Sequence, residues 1–348
     1  MKLYSRRKFL KSATIGGIAV SLAGVMPATA MGTIGKGKRI GIIGLDVSHS
    51  LAFTKLLNAA GAGTEFSAYR VVAAYAGGSK DIKASISRVA EFSTAVAALG
   101  VQIVSSVADM LAMVDVVMVN TNDGRLHYEQ VLQVLKTGKP AFIDKPLAAS
   151  LPDVLAIFEA SERYKVPVFS SSSMRYFENE EALSKDKIGK VLGASSFSPA
   201  TLEKSHSDLF WYGIHGVEIL YRLMGKGCLQ VSGVFSPDTD VVTGSWADGR
   251  LATFRGTRSG THSYGATVFA EKGTISIEPA RGFKVLLQQI INFYEQRVSP
   301  VDPAETIEIY TFMEAAAVSK RKGGASVLLK DVLSNATQVN KHRASYHD

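Results

Sequence analysis

Residues 114–146, VDVVMVNTNDGRLHYEQVLQVLKTGKPAFIDKP, contain two short apolar segments with an amphipathic segment between them. Residues 114–119 and 141–143 are predicted strands, and residues 127–135 are a predicted helix. Strands made almost entirely of Val, Ile, Ala and Phe are typical of a parallel sheet that helices cover on both faces. This unit therefore predicts an α/β fold.

The same alternation of strand and helix extends on both sides of this unit. Further strands are predicted at residues 39–43, 70–75, 101–104 and 166–169, and further helices at residues 51–60, 87–99, 108–113 and 151–164. Alternating elements of this kind form a doubly wound sheet. We therefore expect a Rossmann-like, dinucleotide-binding type of domain over about residues 36–170.

The pattern changes after residue 170, where polar and apolar residues alternate and turn residues such as Asp248-Gly249 separate the strands. Such a pattern predicts an α+β domain over residues 171–348 with an open, mostly antiparallel sheet. A helix over residues 303–322 is a candidate for return to the first domain. The predicted strands are residues 191–197, 230–235, 240–246, 250–255 and 263–270, and helices near 177–185, 209–224 and 286–297 are expected on one face of this sheet.

Lys145 comes directly after the strand at residues 141–143 and directly before Pro146. The proline prevents further pairing in the sheet and favours an extended backbone at the lysine. Lys145 is therefore expected at the carboxyl edge of a parallel sheet, where ligands bind. The alternative is a solvated lysine with no function.

The first 30 residues have the features of an export signal. Residues 5–11, SRRKFLK, form a twin-arginine pattern, and a modestly apolar stretch over residues 12–26 precedes Ala28-Thr29-Ala30. We predict a signal peptide that is cleaved after Ala30 and that leads, through the export machinery, to the periplasm or the cell exterior. The apolar run is short and rich in Gly, Ser and Thr, so no stable membrane span is expected after cleavage, although an uncleaved anchor stays open.

Charge and cysteine content limit the possible functions. The five basic residues in the predicted signal account for most of the formal charge of +8, so the mature chain carries about +3 and no nucleic-acid partner is expected. Cys228 is the single cysteine, which excludes an internal disulfide and a cysteine-cluster metal site. The remaining 318 residues exceed one usual core, so two domains are expected.

Several motifs resemble those of the glucose-fructose oxidoreductase, inositol dehydrogenase and MocA family, usually written Gfo/Idh/MocA. The resemblance covers almost all of the mature chain and implies hydride transfer between NAD or NADP and a sugar, polyol or glycoside carbon. The motifs are RIGIIG at residues 39–44, the helix with His127, GKP at 138–140, DKPL at 144–147, MRY at 174–176, GIHG at 213–216 and AAVS at 316–319.

The resemblance also implies roles for two residues. Lys145 would lie beside the nicotinamide and the reacting carbon, and His215 would be the catalytic base. Removal of hydride from a carbinol requires that the hydroxyl proton leave at the same time, so a base and a positive charge are needed near that oxygen. Lys145 is accordingly predicted to be both a catalytic and a cofactor-binding residue.

The phosphate loop departs from the family pattern, because residues 44–49, GLDVSH, keep only the first glycine. Asp46 replaces the second glycine and would repel a diphosphate unless it turns away as a helix cap. His49 replaces the third glycine, and Ser48 and Ser50 offer hydroxyl groups to a phosphate. Gly44, Asp46, Ser48 and His49 are the predicted cofactor contacts in this loop.

A second departure lies after the strand that ends at Tyr75, where no acidic residue follows at once. Ser79 together with Lys80 would favour a 2′-phosphate and therefore NADP, whereas Asp81 would favour NAD. Both cofactors stay open, and Ser79 is a predicted cofactor contact in either case.

The loop after the strand at residues 114–119 lies on the same carboxyl edge as Lys145. Asn122 and Asp123 are predicted cofactor contacts there, and Arg125 is a predicted substrate contact. Arg175, which follows the last predicted parallel strand, is a further predicted substrate contact. The alternative for residues 122–125 is an ordinary turn that caps the next helix.

A third departure lies four residues before His215, where the family commonly has an aspartate and this chain has Trp211. An indole accepts no proton but provides a flat apolar surface on which a sugar ring can stack. Trp211 and its neighbour Tyr212 are predicted substrate contacts, and Asp208 and Glu218 are the candidates for the missing carboxylate. His206 and Asp208 lack the tight spacing of metal ligands to His215, so no metal site is expected.

These observations lead to one function and two alternatives. Because free nicotinamide cofactors are scarce outside the cytoplasm, we expect an exported oxidoreductase that holds its NAD(P) tightly and acts on a carbohydrate. The alternatives are a glycoside hydrolase or lyase that works by transient oxidation and elimination, and a non-catalytic carbohydrate-binding protein. An open sheet in the second domain makes a homo-oligomer a further expectation.

Overall fold

A six-stranded parallel sheet forms the first half of the protein in a computed structural model that describes residues 38–59, 66 and 68–344. The strand order is β3-β2-β1-β4-β5-β6, the order of a doubly wound Rossmann sheet. The predicted α/β class is therefore confirmed, whereas the predicted signal peptide lies outside the described residues. The strands are β1 Lys38–Ile43, β2 Tyr69–Tyr75, β3 Gln102–Val104, β4 Val116–Val119, β5 Ala141–Ile143 and β6 Val168–Phe169.

Six helices connect these strands in the described part of the chain, and sequence signals explain where two of them begin. Ser106 and Ser150 are the N-caps of α4 and α6, and each side chain accepts a hydrogen bond from a backbone N–H three residues later. The helix predicted at residues 87–99 is confirmed as α3, and the short helix α2 that precedes it was not predicted. The helices are α1 Ser48–Asn58, α2 Lys83–Ile86, α3 Val89–Ala97, α4 Val107–Met113, α5 His127–Leu135 and α6 Leu151–Tyr164.

The second sheet has seven strands in the order β12-β11-β7-β10-β9-β8-β13. Strands β7 and β10 pair in parallel and the other neighbours are antiparallel, which confirms a mostly antiparallel sheet. Strands β12 and β13 were not predicted. The strands are β7 Val191–Pro199, β8 Cys228–Phe235, β9 Thr239–Trp246, β10 Leu251–Thr257, β11 Gly265–Ala270, β12 Gly273–Ile277 and β13 Val327–Leu328.

The predicted helix near residues 177–185 is wrong. The chain forms a 3-10 turn at Glu180–Leu183 and then a one-turn helix, α7 Lys185–Ile188, in a mostly polar and exposed segment. The helix predicted at 209–224 is shorter in the structure, where α8 spans Ile214–Met224 after a 3-10 turn. Helix α8 lies directly on the second sheet, because a Cβ at Gly216 would come within 2.3 Å of the Phe254 ring.

Helix α9 (Lys284–Gln296) packs on the first sheet, although the sequence suggested the second. Its apolar residues Leu287, Ile290 and Phe293 share a core with Ile42 of β1, and Tyr294 donates a hydrogen bond to the Val117 carbonyl of β4 at 2.7 Å. An amphipathic pattern shows which face of a helix is buried and does not show which sheet buries it. The prediction was wrong for that reason.

The last two helices, α10 (Pro303–Arg321) and α11 (Leu329–Ala344), both pack against α6 of the first half. Helix α10 also packs against β8 and α8, so it contacts both halves of the molecule. Its Tyr310 hydroxyl accepts a hydrogen bond from the backbone N–H of Leu147 at 2.5 Å. Helix α10 thus supports the segment that follows Lys145.

Candidate active site

Lys145 lies at the carboxyl edge of the first sheet, where the sequence placed it. The strand pairing ends at Asp144, whose N–H donates to the Val119 carbonyl of β4 at 2.8 Å. Lys145 is 8 % exposed, and its Nζ lies 5.4 Å from the centre of the Tyr212 ring. No described residue forms a hydrogen bond with Nζ, so the ammonium group has donors for a ligand oxygen.

His215 lies in the first turn of α8, beside the same tyrosine. Its Nδ1 is 2.6 Å from the Ser172 Oγ, and that oxygen also accepts a hydrogen bond from the Met174 N–H. The rings of Tyr212 and Tyr264 meet the imidazole edge to face at 5.0 and 5.8 Å between centres. Tyr212 is therefore next to both Lys145 and His215, and its contact with a substrate stays a prediction.

The surroundings of His215 favour a neutral imidazole. Burial lowers its pKa well below the ordinary value, and the positive charges of Lys145 and His49 lower the pKa further. A neutral ring has a lone pair that can accept a proton at neutral pH, which a catalytic base requires. If Nδ1 carries the ring proton, it donates to Ser172 and the lone pair is on Nε2.

Neither carboxylate that the sequence suggested as a partner for His215 bonds to it. Asp208 pairs with Lys320 at 3.1 Å, and Glu218 accepts hydrogen bonds from the Ser172 N–H at 3.3 Å and from Arg175. The partner of the imidazole is instead the Ser172 hydroxyl. The serine run at residues 170–173 was the only sequence signal for this contact.

Arg175 is buried between two carboxylates. Its Nη1 donates to Glu218 at 3.0 Å and its Nη2 pairs with Glu305 of α10. These ion pairs connect the 3-10 turn at Ser173–Arg175 with α8 and α10. Arg175 therefore has a structural role, and its contact with a substrate stays a prediction.

Trp211 packs against His206, with 4.8 Å between the ring centres, and its side chain is half-buried. The Nε2 of His206 accepts a hydrogen bond from the Gly124 N–H at 3.0 Å, so the ring proton is on Nδ1, beside Ser205. Burial lowers the pKa of His206 to about 4. This neutral histidine joins the loop after β4 to the second half of the protein.

The loop between β1 and α1 is built around Gly44. Its φ angle is +92°, and a Cβ there would lie 2.5 Å from the Cα and the N of Thr121. The Gly44 N–H donates to the Tyr75 carbonyl at 2.9 Å. Only glycine fits this turn after β1, which lies against Thr121 just beyond β4, as a dinucleotide-binding loop requires at its first glycine.

Asp46 is fully buried and is not the cap of α1, which was the one arrangement that the sequence suggested for turning it away from a diphosphate. Its Oδ1 accepts a hydrogen bond from the Asn122 N–H at 3.0 Å, and its Oδ2 accepts one from the Ser85 hydroxyl. Val47 is the N-cap residue of α1 and has no capping side chain. Burial raises the pKa of Asp46, and its carboxyl group is turned into the protein, where it joins the loops after β2 and β4.

The two serines of this loop differ. Ser48 is exposed at the start of α1, whereas the Ser50 hydroxyl donates to the Gly44 carbonyl at 2.8 Å. Ser48 and the N-terminal N–H groups of α1 are thus placed to bind a phosphate.

His49 pairs with the residue before the lysine. Its Nδ1 lies 2.5 Å from the Asp144 Oδ2, and the Asp144 Oδ1 accepts a hydrogen bond from the Lys145 N–H at 2.8 Å. Burial acts to raise the pKa of Asp144, but the His49 and Lys145 charges and hydrogen bonds outweigh it, and the pKa is lowered. The sequence predicted His49 as a cofactor contact, which stays a prediction, and gave no sign of this pair with Asp144.

A cavity of about 700 Å³ lies between the ends of β2, β3 and β4. On its polar side, Ser79 donates to Asp123 at 2.7 Å, and Arg125 bonds to both Asp81 and Asp123. The hydrogen bonds from Arg125 and Ser79 lower the pKa of Asp81 to about 2. Carboxylates and hydroxyls at this end of a Rossmann sheet fit the ribose of a dinucleotide, and together with the Gly44 turn they fit NAD(P).

Asn120, directly after β4, was not anticipated. Its side chain is fully buried, and neither its Oδ1 nor its Nδ2 has a hydrogen-bond partner in the described part of the chain. Asn122 is also buried, and its backbone N–H binds Asp46. Across the described residues, no group of three or more His, Cys, Asp or Glu side chains is arranged to hold a metal ion.

Comparison with known proteins identifies the first half directly. The Gfo/Idh/MocA family, described as an oxidoreductase family with an NAD-binding Rossmann fold, matches residues 38–172. Inositol 2-dehydrogenase from Cereibacter sphaeroides is 26 % identical over 259 residues, which cover 67 % of this chain and 76 % of that enzyme. Myo-inositol 2-dehydrogenase from Thermotoga maritima is 27 % identical over 202 residues, 50 % of this chain and 59 % of that enzyme.

Solved structures show the same fold along most of the chain. Myo-inositol 2-dehydrogenase from Lactobacillus plantarum has a TM-score of 0.68 at 18 % identity and covers 84 % of this chain and 99 % of its own. Myo-inositol dehydrogenase from Lactobacillus casei, in complex with NAD(H) and myo-inositol, has a TM-score of 0.65 at 17 % identity and covers 84 % and 96 %.

The fold and the site define a Rossmann-type oxidoreductase with a second α+β half. The chain is an NAD(P)-dependent oxidoreductase, and residues 38–172 match the Gfo/Idh/MocA family, in agreement with the resemblance found in the sequence.

Proposed function

We propose that the protein transfers a hydride between bound NAD or NADP and a secondary alcohol or ketone carbon of a polyol or sugar. The observation that carries this proposal is that a neutral, buried His215 and a Lys145 ammonium that no described residue binds both lie beside the Tyr212 ring. The relatives named as inositol dehydrogenases support a polyol substrate. When bound, the nicotinamide ring accepts or gives the hydride.

The residues of the chain provide the proton chemistry. His215 Nε2 takes the hydroxyl proton of the substrate while Ser172 holds Nδ1. The Lys145 ammonium binds the same oxygen and stabilises the negative charge that develops on it. In the reverse direction, the protonated His215 returns its proton to that oxygen. Tyr212 and Trp211 form the proposed apolar surface for the substrate ring.

The cofactor would be held by the carboxyl edge of the first sheet. The Gly44 turn, Ser48 and the start of α1 are placed for the diphosphate, and Ser79, Asp81 and Asp123 are placed for the ribose. Asp81 offers oxygen acceptors to the hydroxyls of NAD, and Arg125 offers a cation to the 2′-phosphate of NADP. Titration with both cofactors distinguishes these alternatives. If Asp81 binds the ribose hydroxyls, the Kd of NAD should be the lower one, and if Arg125 binds the 2′-phosphate, the Kd of NADP should be the lower one.

The His215→Ala variant tests the proposal. We expect kcat for polyol oxidation to fall by about 10²–10⁴-fold, because a general base contributes that much, while the Kd of the cofactor stays unchanged. The matched control is His262→Ala, because His262 is exposed. Turnover of His215→Ala close to that of the wild type would exclude His215 as the base.

We further propose that residues 1–30 are a twin-arginine signal and that the mature enzyme works in the periplasm with a tightly held cofactor. Among the described residues, no helix is long and apolar enough to cross a membrane. Fractionation of the source bacterium and mass spectrometry should find a periplasmic chain that begins at Met31. Full-length protein confined to the cytoplasm would contradict this proposal.

We also propose that residues 36–170 are the cofactor-binding domain and that residues 171–348 are the substrate-binding domain. We further propose that the exposed face of the seven-stranded sheet joins two copies of the protein. Three apolar side chains on that sheet, Leu229, Leu251 and Phe269, are 52 %, 59 % and 46 % exposed. Light scattering should give the mass of an oligomer, and a monomer at micromolar concentration would count against the last point.

A further inference from the structure

Asp46 occupies the position of the second glycine in the phosphate loop of the family, and its carboxylate is fully buried. Its Oδ1 accepts a hydrogen bond from the Asn122 N–H at 3.0 Å, and its Oδ2 accepts one from the Ser85 hydroxyl. Asn122 follows β4, and Ser85 belongs to α2, which follows β2. One side chain of the phosphate loop therefore holds the two neighbouring loops of the proposed cofactor site.

The backbone of the loop after β2 packs directly against this carboxylate. A Cβ at Gly78 would lie 2.5 Å from the Asp46 Oδ2 and 2.8 Å from the Ser85 Oγ. Among the non-glycine residues that the structure describes, only Lys165 and Arg297 have a positive φ, so the turn at Asp46 does not need a glycine. The carboxylate therefore fits the turn and fills the space between the loops.

Hydrogen bonds continue from Ser85 to the ribose end of the proposed cofactor site. The Ser85 Oγ accepts a hydrogen bond from the Ser79 N–H at 2.9 Å. The Ser79 Oγ lies 2.7 Å from the Asp123 Oδ2 and 2.8 Å from the Asp81 Oδ1. These two carboxylates are the groups placed for the ribose, so their position depends, through two serines, on Asp46.

The loss of this carboxylate would leave two buried donors, the Asn122 N–H and the Ser85 hydroxyl, without their acceptor. An unpaired buried donor costs free energy, so the loops would have to move to restore a partner. A site that is ordered before its ligand arrives loses less conformational freedom on binding and therefore binds more tightly. The order of these loops is thus expected to determine the affinity for the cofactor.

We propose that Asp46 is a positioning residue of the cofactor site, which orders the loops after β2 and β4 before the dinucleotide binds. It acts through Ser85 and Asn122, because both carboxylate oxygens face donors of the protein. The inference rests on the proposed function, since the cofactor site comes from it. It follows that this departure from the glycine pattern strengthens cofactor binding and that restoring the glycine weakens it.

Calorimetric titration with NAD⁺ and with NADP⁺ tests this inference without turnover, on protein that charcoal treatment has freed of bound nucleotide. In Asp46→Gly we expect the Kd of the cofactor that the wild type binds more tightly to rise by about 10-fold or more, because two buried donors lose their acceptor. A carboxylate that only repelled the diphosphate would predict the opposite, a lower Kd in this variant.

Two further variants examine the hydrogen bonds themselves. Ser85→Ala leaves the phosphate loop unchanged and should also raise the Kd; it keeps the inference testable if Asp46→Gly does not fold, which a thermal melt of each protein shows. In Asp46→Asn the side chain still accepts from the Asn122 N–H and can donate to the Ser85 Oγ. Its Kd should therefore stay within about threefold of the wild-type value.

Asp240→Ala is the matched control. Asp240 is 1 % exposed, as buried as Asp46, but it pairs with Arg258 in the second sheet, outside the three loops. This variant should lower the melting temperature and leave the Kd of the cofactor unchanged. A rise in Kd equal to that of Asp46→Gly would show a general effect of lost stability and would overturn the inference.

The outcomes also separate this inference from the proposed function. A Kd that is unchanged or lower in both Asp46→Gly and Ser85→Ala overturns the inference and leaves the proposed function intact. An Asp46→Asn variant that binds as weakly as Asp46→Gly would show that the charge acts and not the hydrogen bonds, which overturns it too. A wild-type protein that binds neither NAD⁺ nor NADP⁺ overturns both proposals.

Discussion

The turn at Gly44 leads to a prediction about stability and cofactor binding. In Gly44→Ala the new methyl group lies at a φ of +92°, and it lies 2.5 Å from two backbone atoms of Thr121. The left-handed backbone costs an L-residue about 1–2 kcal/mol, and overpacking against atoms that cannot rotate away costs about 1–3 kcal/mol. We therefore expect the free energy of unfolding to fall by about 2–5 kcal/mol.

Gly100→Ala is the matched control, because Gly100 has a similar φ of +84° but no atom lies within 4 Å of the position that its new methyl group would take. This variant has only the backbone cost of about 1–2 kcal/mol. Urea unfolding followed by circular dichroism measures both changes. The Kd of NAD(P) should rise in Gly44→Ala and stay unchanged in Gly100→Ala, because only the Gly44 turn is proposed to lie against the diphosphate.

An equal loss of stability in the two variants would refute the reasoning about Thr121. In that case the β4 segment moves aside easily and the close approach has no energetic consequence. An unchanged Kd in Gly44→Ala, together with reduced stability, would refute the placement of the cofactor at this turn.

Two further predictions concern buried charges. Arg175→Met should lower the free energy of unfolding by about 3–5 kcal/mol, because Glu218 loses its partner in the interior. Adding Glu218→Gln to this variant should recover part of the lost stability. Arg222→Met is the control and should change the stability little, because Arg222 belongs to an exposed ion pair. Equal losses for the two arginines would contradict this. The pKa of His206 is about 4 in the folded protein and 6.5 in the unfolded chain. The free energy of unfolding should therefore fall by about 3 kcal/mol as the pH drops from 6.5 to about 4. In His206→Gln this dependence on pH should be smaller. An unchanged pH slope in urea titrations would show that His206 is not the cause.

Local patterns were sufficient for the fold class and for Lys145. The strands of the first sheet are apolar throughout, and a proline on each side of residues 141–145 limits where that strand can lie. The neighbouring strand order then places the lysine at the edge where ligands bind. The family motifs added His215, which lies beside the ring of Tyr212, as Lys145 does.

The contacts that give these residues their properties come from distant parts of the chain. His49 and Asp144 are 95 positions apart, and Ser172 and His215 are 43 positions apart. Each pairing depends on which loops the folded sheet brings together. It also requires that the side-chain atoms be placed to within about an ångström, because hydrogen bonds have narrow distance limits. No periodicity or motif contains that information.

Asp46 and α9 also show the difference between what the sequence predicts and what only the folded structure determines. A carboxylate in the phosphate loop suggested repulsion of the cofactor, and the folded chain instead buries it against the Asn122 N–H and the Ser85 hydroxyl. The amphipathic pattern of α9 was visible, but the sheet that covers it was not. The sequence is enough to predict features that depend on local backbone preference and burial. The pairing of side chains and the protonation of buried groups follow only from three-dimensional packing, because the desolvation of a group and the charges around it depend on every neighbour in space.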